Sequence, residues 1–285
     1  LKLSVKTILA LVMGLSFSAV TYVYVVNEAN GESQIMNSAS LPLFLSQCVE
    51  KSVSTPLDLE GRLNVAVWNL YKQQKSGWDS VLTELVSSNE LVLLQEAKLS
   101  KNLTQFITNN SQQVLMAKAF KVFKTPIGVM NLANVQAESA CAYHATEPWI
   151  RFAKSALVSQ YLLSNGENLM VVNLHGINFD WRLKAYRSQF ALLAEQISVH
   201  TGPVIMAGDF NTWRQSRLDV VGEFATKLGL QEANYETDNR NRVFGKALDH
   251  LYYRGLKLQK AHSNTTEASD HNPIQASFTL IEKRV

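Results

Sequence analysis

Short apolar runs that each stop at a polar residue constrain this chain more than any other feature. Val204 to Ala207 leads straight into Gly208-Asp209-Phe210-Asn211, and Leu91 to Leu94 into Gln95-Glu96. Leu63, Val65 and Val67 alternate with Asn64 and Ala66 up to Trp68-Asn69, as on a half-buried strand. Leu169 to Leu174 runs into His175 and pairs with Lys154 to Leu163 across an Asn165-Gly166 turn. Leu248–Tyr253, Leu256–Ala261 and Pro273–Leu280 read as further strands. Helical spacing is found over Trp78–Ser87, with Val81, Leu82 and Leu85 on one face, and over Leu183–Val199, which Gly202-Pro203 ends. Polar residues just past buried strands predict stacked sheets covered by helices, with a site built from loops at one rim. This is an α/β arrangement but not a doubly wound one, because no Gly-rich phosphate loop follows the first strand.

The chain has 285 residues, 46% of them hydrophobic and 18% charged, which suits an ordinary globular domain. Three parts are expected: an apolar segment over 1–26, a linker and irregular lead-in over 27–60, and a domain over 61–285. Lys2 and Lys6 precede a stretch from Thr7 to Val26 with no charged residue. As a helix that stretch would span roughly 30 Å, the thickness of a bilayer's hydrocarbon core. An uncleaved membrane anchor is preferred to a signal peptide cut near Ser16 or Ser18, which would leave Ala19 to Val26 apolar at the new terminus. The domain is then expected in the cell envelope; a cytoplasmic chain is the alternative. Cys48 and Cys141 are too few for a cysteine metal cluster, and the sequence leaves open whether they pair.

Taken singly, an Asn or Glu at a strand end is an ordinary turn or cap. Asp209 and Asn211 are more specific, since residues two apart in an extended segment project to one face. Ser269-Asp270-His271-Asn272-Pro273 places a His beside an Asp just before the last strand, an unusual place for a core histidine. His250 next to Asp249 would point to the opposite face, and His144 and His262 read as ordinary polar residues. Arg240, Arg242 and Lys246 suit a solvated loop better than a phosphate edge. Trp181 and Trp213 fit base stacking and a hydrophobic rim equally well.

Together, the order and types of these segments resemble the endonuclease/exonuclease/phosphatase superfamily, above all in "MAGDFN" at Met206–Asn211 and "SDHNP" at Ser269–Pro273. The resemblance runs from about Arg62 to Phe278. It implies a four-layer α/β/β/α sandwich of two packed, mainly antiparallel sheets flanked by helices. It further implies metal ligation of Mg²⁺ or Mn²⁺ by Asn69, Glu96 and Asp270, and catalysis by His175, Asp209, Asn211, Asp249 and His271. Asp209 would position or deprotonate the attacking water, and Asn211 would donate to the phosphate. Asp249 and His271 would form a pair facing the scissile group, with His175 a second phosphate-facing histidine. Which of Asp209 and His271 is the base stays open. AP endonucleases are similar but carry a tyrosine at the place of His175, which disfavours an abasic-site specialist.

The expected activity is a metal-dependent phosphodiesterase with a phosphoester substrate, nucleic acid slightly preferred. A phosphomonoesterase or lipid-headgroup phosphodiesterase is the near alternative, and a non-catalytic binding module the distant one. A net charge of +3 gives nucleic acid only weak support. Membrane contact is expected through the N-terminal segment, and oligomeric state is not read from the sequence.

Overall fold

A computed structural model describes residues 33–281. The strands are β1 (Ile35–Asn37), β2 (Cys48–Glu50), β3 (Arg62–Asn69), β4 (Leu91–Lys98), β5 (Gln113–Val122), β6 (Thr125–Ala133), β7 (Ser139–Thr146), β8 (Ala153–Leu162), β9 (Asn168–His175) and β10 (Val204–Asp209). They continue with β11 (Gln231–Glu232), β12 (Thr237–Asp238), β13 (Arg242–Val243), β14 (Lys246–Ala247), β15 (Asp249–Arg254), β16 (Leu256–Ser263) and β17 (Ile274–Leu280). Four α-helices lie between them: α1 (Trp78–Ser88), α2 (Lys101–Asn109), α3 (Lys184–Ser198) and α4 (Gln215–Lys227).

One sheet runs β1-β5-β6-β4-β3-β17-β16-β12 and the other β11-β15-β10-β9-β8-β7-β2. Pairing is mostly antiparallel, but β3–β4, β9–β10 and the short β12–β16 are parallel; the first two pairs are connected through a helix, α1 or α3. The apolar residues separate into three clusters. Val65, Val67 and Leu93 of the first sheet pack with Leu157, Ile205 and Leu251 of the second. Ala66, Trp68 and Leu94 pack with Leu82 and Leu103 of α1 and α2, while Val172 and Met206 pack with Phe190 and Val220 of α3 and α4. Three interfaces between four layers give the expected α/β/β/α sandwich. β3 is therefore buried on both faces from Val65 onward, not half-buried, because Ala66 and Trp68 lie under helices. Burying a large apolar side chain contributes about 1.5–3 kcal/mol, so these alternating strands supply most of the drive to stack.

The lead-in differs from expectation. Within 27–60, β1 joins the edge of the first sheet against β5, and β2 joins the edge of the second against β7. Cys48 and Cys141 face each other in that last register and form a disulfide. The segment thus crosses from one sheet to the other and fastens both edges. The apolar segment 1–26 lies outside the described residues; among those described, no helix is long and apolar enough to cross a membrane.

Candidate active site at the rim of the two sheets

Register assembles half of the site. In the second sheet His175 pairs with Asp209, and Asp209 with Asp249, so three neighbouring strands carry their functional residues in one row. The parallel approach of β9 and β10 is close enough that a Cβ on Gly208 would meet the Leu174 carbonyl oxygen at 2.0 Å, and φ there is 139°. Only glycine fits that position. The row points inward, in phase with Ala207 and Leu251 of the inter-sheet core.

The first sheet supplies Asn69 and Glu96 from adjacent strand ends. Asn69 follows the inward phase of Val65 and Val67. Glu96 lies within an irregularity between Leu94 and Ala97, with φ 49°, and such a bulge re-aims a side chain that regular pleating would send elsewhere. Tyr71, Lys72 and Gln73 are also left-handed, at φ 48°, 56° and 56°. Four non-glycine residues in this conformation around one rim is the kind of backbone strain that clusters at functional sites.

The side chains converge on Asp209. Its Oδ2 accepts from Asn69 Nδ2 at 3.1 Å and lies 3.4 Å from His175 Nε2 and 4.0 Å from His271 Nε2. Its Oδ1 accepts the Asn211 backbone N–H at 2.9 Å. His271 Nδ1 donates to Asp249 Oδ2 at 2.7 Å. The His271 backbone is held in turn by Trp68 Nε1, which donates to its carbonyl at 3.0 Å, and by Ser269 Oγ, which accepts its N–H at 3.1 Å. Glu96 Oε1 stands 4.0 Å from His175 Nε2, and Lys72 donates to Glu96 Oε2.

One expectation needs correction. Asp209 and Asn211 do not share one extended face, because Asn211 has φ 54° and turns the chain out of β10. Its side-chain amide donates to the Gly176 carbonyl at 3.0 Å, leaving the second N–H of that amide as the donor it can offer. Asp270 is exposed, whereas Asn69, His175, Asp209, Asp249 and His271 are buried and Glu96 is half-buried; its link to the cluster is electrostatic, through His271. His250 does lie apart, bonded to Thr212 and Glu232. Arg240 is pinned by Asp238, Glu232 and the Asp249 carbonyl rather than lining a phosphate edge.

Lys154 is a site residue the sequence reading missed. Its ammonium donates to His175 Nε2 at 2.6 Å. Burial lowers its pKa, partly offset by Glu96, Asp209 and Glu147. Burial also pushes the His175 pKa well below its usual value, helped by Lys154, His271 and Lys72. His175 is thus a neutral ring. The available signal was a single cation at the start of the run Ala153–Val158, in which Ser155 is the one other polar residue.

The other two groups divide into base and cation. Burial raises the Asp209 pKa to about 6, with the His271 charge as the main opposing influence. For His271, burial alone favours the neutral ring, but Asp249, then Asp209 and Asp270, outweigh it and lift the pKa to about 10. At neutral pH the site therefore holds an Asp209 carboxylate beside a His271 imidazolium. A raised histidine pKa stabilises the fold fully below about 6.5, and that contribution is lost as pH rises through about 10. In metal-free protein, His271 ring signals in NMR should keep their imidazolium shifts into the alkaline range. In Asp249→Asn the ring should titrate near or below the ordinary histidine range; an unchanged titration would disprove the pairing.

The donor set fits a hard divalent cation. Glu96 and the Asn69 amide oxygen, which also accepts from the Tyr71 N–H at 3.0 Å, are oxygen donors at one rim. Among the described residues no three His, Cys, Asp or Glu side chains form a complete cage. Mg²⁺ is commonly held in just this way, by one or two carboxylates with water and substrate oxygens completing its shell.

A sequence profile described as the Endonuclease/Exonuclease/phosphatase family matches residues 66–271. The chain belongs to the endonuclease/exonuclease/phosphatase family. Members of this family are generally phosphoester hydrolases that use divalent metals. A UPF0294 protein of Vibrio vulnificus (strain CMCP6) is 45% identical over 234 residues, covering 82% of each chain. One of Yersinia enterocolitica is 44% identical over 223 residues, covering 78% of this chain and 86% of that one. Among solved structures, a family member from Bacteroides vulgatus superposes with TM-score 0.60 at 15% identity, over 77% of this chain and 99% of that one. Danio rerio TDP2, solved with a single-strand DNA product, gives TM-score 0.57 at 15% identity over 77% and 100%. At such identities the two structures share the fold.

Proposed function

We propose that this family member is a divalent-metal-dependent phosphodiesterase in which Asp209 is the general base and His271 the cationic partner of the phosphoryl group. The observation that carries the reading is the opposed protonation of two groups 4.0 Å apart, Asp209 Oδ2 and His271 Nε2. A carboxylate with a pKa near neutrality suits proton abstraction from water. An imidazolium fixed by Asp249 suits the charge that builds on the phosphoryl oxygens. Lys154, held against His175 Nε2, adds a further donor on the other side of Asp209. Glu96, with Asn69 and Asp270, would hold Mg²⁺ or Mn²⁺, which when bound supplies charge neutralisation at the phosphoryl oxygens. An ordered cationic histidine beside a buried base has little use in a module that only binds, which favours turnover.

The test is hydrolysis of bis(p-nitrophenyl) phosphate and p-nitrophenyl phosphate by the full chain. The diester is expected to turn over with Mn²⁺, to stop with chelator and to resume when metal is restored, with the monoester slower. Chelator-resistant hydrolysis would overturn the metal mechanism, and turnover of the monoester alone would make the chain a phosphatase. No metal-dependent turnover of these or of nucleic-acid and phospholipid diesters would favour the binding module.

A further inference from the structure

Beside the site, three separate turns carry exposed apolar side chains, and a fourth carries a half-buried tryptophan. Trp149 and Ile150 lie between β7 and β8, Phe179 and Trp181 between β9 and α3, and Val243 and Phe244 on the β13–β14 hairpin, with Trp213 between β10 and α4. Trp149 is 71% exposed, Trp181 62% and Phe244 83%. Among the described residues, six of the thirteen exposed large hydrophobics fall on these turns, so they form a concentration and not the usual scatter.

The turns are bound into one platform. The buried Glu147 carboxylate accepts the Asn178 and Phe179 backbone N–H groups at 2.6 and 2.8 Å. Asn178 Oδ1 accepts from Trp213 Nε1 at 2.9 Å. Trp213 meets Trp181 edge-on at 5.1 Å between ring centroids and Phe244 at 6.4 Å. Arg214 lies over both tryptophans, at 5.7 and 5.3 Å. Each turn also places an arginine next to its apolar residue: Arg151 after Ile150, Arg182 after Trp181, Arg214 after Trp213, and Arg242 before Val243. The nearby acids do not cancel them evenly, since Glu147 and Asp180 are buried by backbone N–H groups; Asp238 does pair with Arg242.

We propose that this platform docks the protein on an anionic lipid bilayer and so presents the site to a phosphodiester at the membrane surface. The inference rests on the phosphodiesterase reading for its second half only. Tryptophan and phenylalanine tips with arginines behind them match the bilayer boundary, where apolar rings enter the acyl edge and guanidinium groups meet anionic headgroups. Single-stranded nucleic acid fits the platform less well. Ile150 and Val243 have no ring to stack on a base, and Trp181 and Trp213 meet at 71° instead of offering parallel faces.

The experiment is quenching of tryptophan fluorescence in the full chain by vesicles of phosphatidylglycerol and phosphatidylethanolamine with brominated acyl chains. The N-terminal segment 1–32 contains no tryptophan, Trp68 is buried in the core and the half-buried Trp78 packs against Phe106, so the part of the quenching that depends on Trp149 and Trp181 reports the platform whatever that segment does. Quenching is expected on anionic vesicles, weaker on phosphatidylcholine and weakened by salt. It should be largely lost in Trp149→Phe/Trp181→Phe, and Trp149→Ser/Phe244→Ser should weaken partitioning about tenfold or more. No quenching on anionic vesicles, or quenching that ignores these substitutions, overturns the proposal. So does a platform response to single-stranded oligonucleotide instead of vesicles. Docking is read without turnover, so an inactive but quenched protein fails only the phosphodiesterase reading. A Trp149→Ser protein that still hydrolyses bis(p-nitrophenyl) phosphate confirms that the substitution spares the site.

Discussion

Asp209→Asn is expected to lower turnover of a phosphodiester by about 10²–10⁴-fold, the range associated with a positioned general base. The substitution is nearly isosteric, and its amide oxygen can keep the Asn211 N–H bond that Asp209 Oδ1 accepts at 2.9 Å, but its NH₂ then faces the Asn69 amide that donates to Oδ2 at 3.1 Å. A cooperative thermal melt, destabilised by no more than about 1–3 kcal/mol, should accompany the loss, which separates chemistry from folding. The pH profile is the sharper readout. Burial raises the Asp209 pKa to about 6, and a base works only when deprotonated, so wild-type activity should fall as pH drops through that region. A bound divalent cation favours the carboxylate, so in the loaded enzyme this acid limb lies at or below about 6. The residual activity of Asp209→Asn should lack the limb. If His271 were the base, the His271 pKa of about 10 would instead make wild-type activity climb steeply through the alkaline range.

The parts of this design that the sequence discloses are those where burial is complete and the pattern local. β10 and β4 are short, apolar on both faces and end at polar residues, so strand and site residue are read together. α3 is likewise legible, because Tyr186, Phe190, Leu193 and Ile197 recur at helical spacing. The stretch from Ala97 to Phe152 is not. β5 mixes Gln113, Lys118 and Lys121 into its apolar positions, and β2 is a three-residue edge strand whose place is fixed by a partner 93 residues away, through Cys48 and Cys141. The site shows the same division. Residue types, and the pairing of Asp249 with His271, follow from order along the chain. The lysines do not, since Lys72 and Lys154 take their roles from Glu96 and His175, which only strand pairing brings near, β3 with β4 and β8 with β9. Arg217 is the extreme case. A fully buried cation on an amphipathic helix contradicts its type until the Tyr186 ring 3.9 Å away and the Asn211 carbonyl that accepts from its Nε are in place. The left-handed turns at Glu96 and Asn211 were equally hidden, because neither residue is glycine.

Glu96→Ala should abolish the response to divalent cations. Glu96 holds a Lys72 ammonium on Oε2, and its Oε1 stands 4.0 Å from His175 Nε2, at a half-buried rim. An ammonium held there marks a place where positive charge is favourable, and a hard divalent cation competes for the same oxygens. Removing the carboxylate leaves Asn69, a neutral amide, and the exposed Asp270 as oxygen donors, neither of which can hold Mg²⁺ or Mn²⁺ alone. Affinity for Mn²⁺ by calorimetric titration should fall by at least about 100-fold, the upper end of what losing even a supporting contact to a metal ligand costs. Lys72→Met makes the complementary case. It removes the competitor without touching a donor, so Mn²⁺ should bind more tightly than in wild type. If Glu96→Ala titrates like wild type while Asp270→Ala loses the ion, the metal belongs to the His271 side of the rim and the assignment of Glu96 is wrong. If both substitutions weaken binding and Lys72→Met strengthens it, Glu96 is the principal donor and Lys72 occupies its oxygens until the metal arrives.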